Sequence, residues 1–318
     1  MAPRPLRLRP VGGDRVGGVR HPARRGSPPC PVPARRGADP PALSHRPRQS
    51  RRGSSGARRA RLRPVRCRVD DTGGLGPVEV EVGEGGGGVT PASLVTARAI
   101  GRIRGQLAGV GIDWGCGTGL LAIVAARIPT VERVVALEVD AGAVEVARRN
   151  IARAGSADRV VVVRADGFVP LDEEGRRTLA EVEGYTDFLV ANPPASRDGD
   201  GLEWRRRLLH GARRYLRPGA TVLLQVAAHY GMERIRTVGE RCGYRYVDTV
   251  ERSAWMPFDF DRMDLAEAFE AYVAAEVAGG PPFAFRTPEG WEVTASEVAA
   301  GAGPALTSWQ AHRYEFLG

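Results

Sequence analysis

The feature that most constrains the fold is a glycine-rich turn between an apolar strand pattern at 110–114 and an apolar helix pattern at 120–126. The segment reads Gly111-Ile-Asp-Trp-Gly-Cys-Gly-Thr-Gly119. Glycines at alternate positions allow positive φ and let a ligand approach the backbone closely. In a doubly wound fold, a turn of this kind at the carboxyl edge of a parallel sheet is where cofactors bind.

Strand and helix patterns alternate along the rest of the chain. Further apolar strands are predicted at 133–138, 159–164, 187–191, 221–226, 244–251 and 312–317. Helices are predicted at 92–107, 141–154, 172–183, 204–216 and 232–242, and an alternating strand pattern precedes them at 78–82. This order predicts an α/β, doubly wound fold with a mostly parallel seven-stranded sheet and helices on both faces.

Acidic residues stand where three successive strands end. Asp113 lies two residues before the first glycine of the loop, where a carboxylate would repel pyrophosphate but suits a ligand with an amino group. Glu138 ends the second strand, nineteen residues after Gly119, and an acid at that place accepts hydrogen bonds from ribose hydroxyls. Asp140 is predicted to cap the following helix instead. Asp166 ends the third strand.

The glycine motif and the three acids together resemble the class I methyltransferases that use S-adenosylmethionine. The resemblance covers about residues 78–252 and implies S-adenosylmethionine as the cofactor. It implies that Asp113 orders the loop and reaches the methionine end, and that Glu138 binds the ribose. It also implies that Asp166 and the backbone of Gly167 bind the adenine. The loop residues expected to line the cofactor are Gly115, Cys116, Gly117 and Gly119.

The fourth strand runs into Asn192-Pro193-Pro194-Ala195. This resembles the Asn-Pro-Pro-aromatic motif of methyltransferases acting on adenine N6, guanine N2 or the N5 of a protein glutamine. Such nitrogens attack poorly because their lone pair is delocalised. The resemblance implies that the Asn192 side-chain oxygen and the Pro193 carbonyl accept from the NH2 group and stabilise the charge growing on nitrogen. Asn192 is also expected to border the cofactor, and the alternative is a Pro-Pro pair that merely ends the strand.

Ala195 departs from this motif, because the family has a Tyr or Phe there that stacks on the acceptor. The loss of base stacking puts a nucleobase acceptor in doubt and leaves a protein side chain or a small molecule open. The aromatic residues considered as replacements are Phe168, Trp204, Tyr230 and Trp255, although such residues more often belong to the core.

The predicted function is methyl transfer from S-adenosylmethionine to a nitrogen of a protein side chain, a nucleic-acid base or another planar amine or amide. One alternative is a small-molecule O- or N-methyltransferase of specialised metabolism. Another is a non-catalytic protein that binds S-adenosylmethionine or nucleic acid. A nicotinamide oxidoreductase is disfavoured by the glycine spacing.

The charge of the chain is concentrated in residues 1–68. The whole chain of 318 residues carries +9, but this segment holds nineteen Arg against Asp14 and Asp39, which leaves −8 on the remainder. It lacks an apolar pattern and is predicted to be disordered. We favour translated upstream sequence, and keep a solvated extension and a nucleic-acid-binding tail as alternatives. Its prolines argue against an organelle transit peptide.

The methyltransferase domain is predicted to span residues 69–318, with an inserted segment at 258–308. That insertion has a helix pattern at 262–277 and an aromatic hairpin pattern around Pro288-Glu-Gly290, and it would form a substrate lid or cover the sheet edge. The four cysteines are scattered, so neither a disulfide framework nor a zinc site is predicted. No apolar run reaches the roughly 20 residues that cross a membrane. The chain is therefore predicted to be cytoplasmic, without a metal or a membrane partner.

Overall fold

The computed structural model describes residues 65–83, 88–197 and 199–318. The tail predicted to be disordered, residues 1–68, lies outside these residues except for its last four. Those four are not disordered, because strand β1, Val65–Val69, begins with them. Since β1 pairs antiparallel with strand β2, Val78–Val82, ordered structure starts before the boundary predicted at Val69.

The central sheet contains the seven predicted strands and a short eighth. The seven are β3 (Gly109–Trp114), β4 (Val131–Glu138), β5 (Val160–Asp166), β7 (Thr186–Ala191), β8 (Leu216–Gln225), β9 (Tyr244–Arg252) and β14 (Gln310–Phe316). The eighth, β6 (Val169–Pro170), pairs with β5 at one edge. Across the sheet the order is β6-β5-β4-β3-β7-β8-β14-β9. The pairs from β5 to β8 are parallel, whereas β14 runs antiparallel to both of its neighbours.

Both faces of this sheet are covered, which confirms the doubly wound fold. In β4 the four consecutive residues Val134, Val135, Ala136 and Leu137 are all buried. Because successive strand residues point to opposite faces, a run of this kind requires packing on each side.

Six helices alternate with the strands. They are α1 (Pro91–Arg102), α2 (Leu120–Ala126), α3 (Ala141–Arg153), α4 (Glu173–Glu181), α5 (Glu203–Ala212) and α6 (Met232–Thr237). Three of them end well before their predicted ends. Helix α5 ends at Ala212, because β8 already begins at Leu216, where the helix was predicted to end. Helix α1 gives way to a 3₁₀ turn at Arg104–Gln106, and α6 to another at Glu240–Cys242. Gly105 and Gly239 lie at these interruptions, where the low helix propensity of glycine favours a tighter turn. None of the helices in the described ranges is long and apolar enough to cross a bilayer.

The helix starts that matter for the site are capped by side chains. Thr90 caps α1 in a reciprocal arrangement with Ser93, and Pro91 occupies the first turn. Asp140 caps α3 by accepting from the Ala143 amide at 2.8 Å, as predicted. Each cap satisfies backbone N–H groups that the helix itself leaves free.

The segment between β9 and β14, which begins two residues before the predicted insertion, forms a second small sheet and two helices. It contains β10 (Met256–Pro257), α7 (Met263–Val277), β11 (Phe285–Arg286), β12 (Glu292–Val293), α8 (Ala295–Ala299) and β13 (Leu306–Thr307). The order in its sheet is β10-β13-β11-β12. The predicted helix and the predicted hairpin, formed by β11 and β12, are both present. Phe258, Phe269 and Phe285 pack against one another with ring centroids 5.3–6.0 Å apart, giving the segment an aromatic centre.

Asn150 joins three parts of the fold through one fully buried side chain. Its Oδ1 accepts from the Glu81 amide of β2 at 2.7 Å, and its Nδ2 donates to the carbonyls of Glu81 and Thr118, each at 2.9 Å. Thr118 belongs to the glycine turn, so this residue of α3 ties β2 to that turn. Nothing in the sequence pattern distinguished Asn150 from other helix residues.

We expect Asn150→Ala to lower the free energy of unfolding by at least about 2 kcal/mol, because it leaves three backbone groups buried without partners. Glu145→Ala, on the exposed side of the same helix, should change it by less than about 0.5 kcal/mol. Urea denaturation of both variants measures this. A loss for Asn150→Ala no larger than for Glu145→Ala would show that solvent satisfies the three groups.

Candidate functional site

A cavity of about 510 Å³ lies at the carboxyl ends of β3, β4, β5, β7 and β8. Volumes of this order are typical of sites for cofactor-sized ligands. Most of the residues singled out from the sequence line it, namely Gly115, Cys116, Gly117, Glu138, Asp166, Gly167, Asn192 and Pro193. Asp113 and Gly119 do not line it. The topology of the sheet therefore brings together residues that are far apart along the chain.

The glycine turn adopts the conformation that its sequence predicts. Gly115, Gly117 and Gly119 have φ values of 70°, 52° and 79°, which side-chain-bearing residues rarely adopt. A Cβ at Gly115 or Gly117 would meet open space within 4 Å, so the backbone there faces the cavity directly. Gly119 instead begins α2 and packs against Ala147 and Ile151 of α3. Its expected contact with a ligand is thus replaced by helix packing.

Asp113 belongs to β3, two residues before the first glycine of the turn, and is fully buried. One carboxyl oxygen, Oδ2, accepts from the Ala122 amide of α2 at 2.9 Å, while Oδ1 has no partner among the described residues. Burial raises the pKa of Asp113 to about 7, and the nearby charge of Glu138 adds to the rise. The side chain thus contacts the first turn of α2, directly after the glycine turn, and it does not line the cavity, so the predicted reach toward the methionine end is not seen.

Glu138 accepts hydrogen bonds from the backbone of the same turn and of the residues after β4. Its Oε2 accepts from the Gly117 amide at 2.9 Å, and its Oε1 accepts from the Val139 and Asp140 amides at 2.9 and 3.0 Å. A carboxylate has about four lone-pair positions, so it retains capacity to accept from a ligand hydroxyl. Asp166 and Gly167 face the same end of the cavity, where the chain turns tightly from β5 into β6.

Asn192 is oriented by the cap of α1. Its Nδ2 donates to the Ser93 hydroxyl at 3.3 Å, and Ser93 in turn contacts Thr90 at 3.0 Å. Because the amide nitrogen is engaged on that side, Oδ1 remains available to accept from a ligand. Ser93 was not singled out as a site residue from the sequence, where it appeared only as a helix-start signal.

The Pro193 carbonyl, predicted to accept from an acceptor NH2 group, already receives a hydrogen bond. Arg205 is buried and its Nη2 lies 3.5 Å from this oxygen, while its Nη1 donates to the Pro194 carbonyl at 3.3 Å. On its other side the guanidinium donates to the backbone and the side-chain oxygens of Gln225, at 3.0 and 3.2 Å. A carbonyl oxygen has two lone pairs, so one remains on Pro193.

Aromatic residues form the wall around Ala195. Of the four considered from the sequence, Trp204 and Tyr230 line the cavity. Phe168 does not, because it stacks on Tyr215 with centroids 5.1 Å apart, and Trp255 lies under the Arg286 guanidinium at 4.2 Å. Three aromatic residues that the sequence gave no reason to choose also line it, namely Trp114, Tyr272 and Trp309.

The inserted segment supplies part of this wall and therefore does more than cover the sheet edge. Arg262, Asp264, Leu265 and Tyr272 line the cavity from α7 and the residue before it. Arg262 and Asp264 neutralise each other through contacts of 2.6 and 3.1 Å. The Tyr272 hydroxyl meets that of Tyr230 at 2.6 Å, which joins the insertion to the main domain inside the site.

His229 adds a neutral imidazole beside Tyr230. Burial lowers the pKa of His229 to about 3, helped by the charges of Arg205 and Arg234. Its Nδ1 meets the Thr307 hydroxyl at 2.8 Å, while Nε2 has no partner among the described residues. In the described ranges no group of three acidic, His or Cys side chains could hold a metal ion. The cavity thus combines carboxylates at one end with hydrogen-bonding amides and aromatic rings at the other.

Gln225 lines the cavity but was not predicted from the sequence as a site residue, although its position carried a signal. Gln225 ends the fifth strand, as Glu138 and Asp166 end the second and third, so the rule that found those acids applies to it. Arg205 gave no such signal, because it stands in a run of three arginines on a polar helix.

Comparison with known proteins matches this region to one family. Residues 95–246 match the family model of the methyltransferase small domain. The chain is 28% identical over 151 residues to the release factor glutamine methyltransferase of Gloeobacter violaceus, covering 44% of this chain and 53% of that protein. It is 31% identical over 145 residues to the ribosomal protein L11 methyltransferase of Thermotoga neapolitana, covering 46% and 47%. The chain spans about half the length of these curated relatives.

Among solved structures, a methyltransferase from Pyrococcus furiosus is similar at 22% sequence identity and a TM-score of 0.44. The similarity covers 75% of this chain and 89% of that one. The family match contains the glycine turn, Glu138, Asp166 and Asn192, whereas the inserted segment lies beyond its end.

The raised pKa of Asp113 predicts a pH-dependent stability. In the unfolded chain an Asp loses its proton near pH 4, whereas in the folded protein Asp113 keeps it up to about pH 7. Between these values the folded state binds more protons, so stability falls as the pH rises, with a slope of up to about 1.4 kcal/mol for each pH unit. Asp113→Asn keeps an acceptor for the Ala122 amide and should remove this part of the pH dependence.

Urea denaturation of the ligand-free parent and of Asp113→Asn at several pH values between about 4.5 and 7.5 gives the free energy of unfolding of each as a function of pH. The difference between these two pH curves measures the contribution of Asp113. Asp158→Asn, which replaces an exposed carboxyl, is the control and should leave the pH dependence of the parent unchanged. Parallel curves for the parent and for Asp113→Asn would contradict the assignment.

Proposed function

We propose that this chain, whose residues 95–246 match the methyltransferase small domain family, transfers a methyl group from S-adenosylmethionine to a planar nitrogen. The family match confirms the resemblance seen in the glycine turn. The observation that carries the proposal is that the turn, Glu138, Asp166 and Asn192 all line one cavity. We include residues 65–318 in the methyltransferase domain, with the insertion as one wall of its site.

The donor set of the cavity fits S-adenosylmethionine. Glu138 would bind the ribose hydroxyls with the lone pairs that its three amide contacts leave free. Asp166 and the backbone of Gly167 would hold the adenine, and Gly115, Cys116 and Gly117 allow close approach of the methionine portion. Asp113 would act through the turn, because its carboxyl supports the start of α2 from below.

S-adenosylmethionine supplies a methyl group on a positively charged sulfur, an excellent leaving group. The protein therefore has to orient the acceptor more than to exchange protons with it. Asn192 Oδ1 and the free lone pair of the Pro193 carbonyl would accept the N–H groups of the acceptor. That arrangement turns the nitrogen lone pair toward the methyl group and stabilises the positive charge that develops. Ser93 keeps Asn192 in the required orientation.

We favour a protein side-chain amide as the acceptor. One relative is named for methylation of a release factor glutamine and the other for methylation of a ribosomal protein. A cytoplasmic location is part of this proposal, because release factors and ribosomal proteins act there. A small-molecule acceptor is the second candidate, and the wall formed by the insertion favours it. The suggested nucleic-acid role of the tail concerns residues outside those that the structure describes.

The ribose assignment is tested by cofactor affinity. Glu138→Ala should weaken the binding of S-adenosylhomocysteine, the demethylated product, by about 1.5–3 kcal/mol, since hydrogen bonds to a charged group are lost. Isothermal titration calorimetry measures it, with Asp140→Ala as the matched control at the neighbouring acid. Loss of affinity in Asp140→Ala but not in Glu138→Ala would move the ribose role to Asp140.

The acceptor assignment is tested at Asn192. Asn192→Ala should lower methyl transfer about 100–1,000-fold, because a preorganised acceptor for the N–H groups is lost where charge develops. The assay measures transfer of labelled methyl groups to fractions of a cell extract, and mass spectrometry identifies the methylated residue. Affinity for S-adenosylhomocysteine should stay within about threefold of the parent. Transfer at the parental rate would mean that the Asn-Pro-Pro segment only ends the strand.

A further inference from the structure

We propose that Trp204 is a specificity residue whose indole ring stacks on the planar acceptor group, in the place that an aromatic residue at position 195 would occupy. This inference rests on the proposed function, and it assigns a role for which Ala195 has no suitable side chain. Both residues line the cavity, Ala195 on the segment that follows β7 and Trp204 in the first turn of α5. The site would thereby favour a flat, conjugated acceptor over an aliphatic amine.

Hydrogen bonds on both sides of Ala195 attach its segment to the start of α5. The Trp204 amide donates to the Ser196 hydroxyl at 3.0 Å. Arg205 Nη1 donates to the Pro194 carbonyl at 3.3 Å. Ser196 and Arg205 are both buried, so solvent competes little for these contacts. Because the residues before and after Ala195 are both bonded to this helical turn, Trp204 is held directly beside the small Ala195 side chain.

Trp204 is also the aromatic residue of the cavity that a ligand can best reach. It is 37% exposed. The other Trp and Tyr residues that line the cavity in the described part of the chain are at most 9% exposed, namely Trp114, Tyr230, Tyr272 and Trp309. Tyr272 in addition stacks on Phe283 with ring centroids 4.1 Å apart. A ring that is nearly enclosed offers little surface for stacking, so the accessible indole of Trp204 is the best placed of the five.

The indole ring is held from one side. The Arg207 guanidinium lies over the Trp204 ring, 5.3 Å from its centroid, and Arg207 Nε donates to the Glu203 carboxylate at 2.9 Å. A cation over one face of an indole is attracted by its π electrons, which restricts the ring and leaves the opposite face for a ligand. Conjugated amines and amides present a flat π face that stacks on an aromatic ring, whereas an aliphatic amine has none. The arrangement therefore selects for planarity of the acceptor group.

The test measures transfer of labelled methyl groups from S-adenosylmethionine to cell extract by the full chain. Initial rates over a dilution series of the extract give the relative kcat/KM for the acceptor. Trp204→Ala removes the ring, and Trp204→Phe keeps a smaller one. Trp291→Ala is the matched control, because it replaces a largely exposed tryptophan that does not line the cavity.

Trp204→Ala should lower kcat/KM at least about tenfold, the effect expected when a stacking residue is removed. Trp204→Phe should stay within about threefold of the parent, and Trp291→Ala should match it. The affinity for S-adenosylhomocysteine and the melting temperature in its presence should be unchanged in all three variants, which excludes a loss of folding or of cofactor binding as the cause.

A second substitution separates stacking from support of α5. In the Trp204→Ala background, Ala195→Tyr should restore kcat/KM to within about threefold of the parent, because it supplies a ring from the other side of the same space. In the parent background, Ala195→Tyr should instead lower kcat/KM, because two aromatic side chains then compete for that space. A residue that merely supports the helix would not give opposite effects of one substitution in the two backgrounds.

Two results would overturn the inference. One is transfer by Trp204→Ala at the parental kcat/KM, and the other is a loss in Trp204→Ala that Ala195→Tyr does not reverse. If transfer still depends on Asn192 in either case, the proposed function stands and only the stacking role fails. Absence of transfer by the parent in the extract would instead contradict the proposed function itself.

Discussion

The site depends on how the chain passes from strand β3 into helix α2. Three glycines at positive φ make this turn tight enough for bare backbone to face the cavity, and no other residue type adopts that conformation at little cost. Glu138 on the neighbouring strand and Asn150 of α3 both hold the backbone of the turn, while Asp113 holds the first turn of α2 that follows it. Glu138, which is proposed to bind the nucleoside, is thus also one of the side chains that fix the conformation of the turn. Under the proposed function, cofactor binding and local stability would therefore be coupled.

The opposite end of the cavity is organised around a cation, Arg205, that has no counter-ion among the residues the structure describes. Arg205 is surrounded by the oxygens of the Asn-Pro-Pro segment and of Gln225, which solvate it in place of water. Burying a charge is costly unless it is fully hydrogen-bonded, and four such contacts supply that compensation. The result is a rigid set of acceptors and donors whose spacing is set before any ligand arrives. The neutral His229 and the tyrosine pair complete this end without adding a second charge.

The fold, and the residues at the end of the cavity proposed to bind the cofactor, could be predicted from the sequence because local patterns encode both. Short apolar strands, the glycine turn and acids at strand ends each carry their meaning within a few residues, and parallel topology then dictates that they meet. Asp113 and Gly119 show the limit of that reasoning, since the motif gave their positions but not which side of the turn they face. The residues at the opposite end of the cavity, where the methyl acceptor is proposed to bind, were harder to predict from the sequence. Arg205 looked like any residue of a basic helix, and the contribution of α7 depends on how the inserted segment packs against the main sheet, which no local pattern specifies. The start of the ordered part was placed too late because the valines of β1 are interrupted by arginines and resemble the tail before them.

The position of strand β14 has a consequence for how the protein is made. It lies between β8 and β9, yet the whole inserted unit separates it from β9 along the chain. During synthesis the facing edges of β8 and β9 therefore have nothing to pair with until Phe316 has emerged from the ribosome. Unpaired strand edges are templates for association with other chains, so the nascent protein passes through a stage at which it is prone to aggregate. The insertion can collapse on its aromatic centre during that interval. It would then form part of the cavity wall before the sheet that it covers is closed.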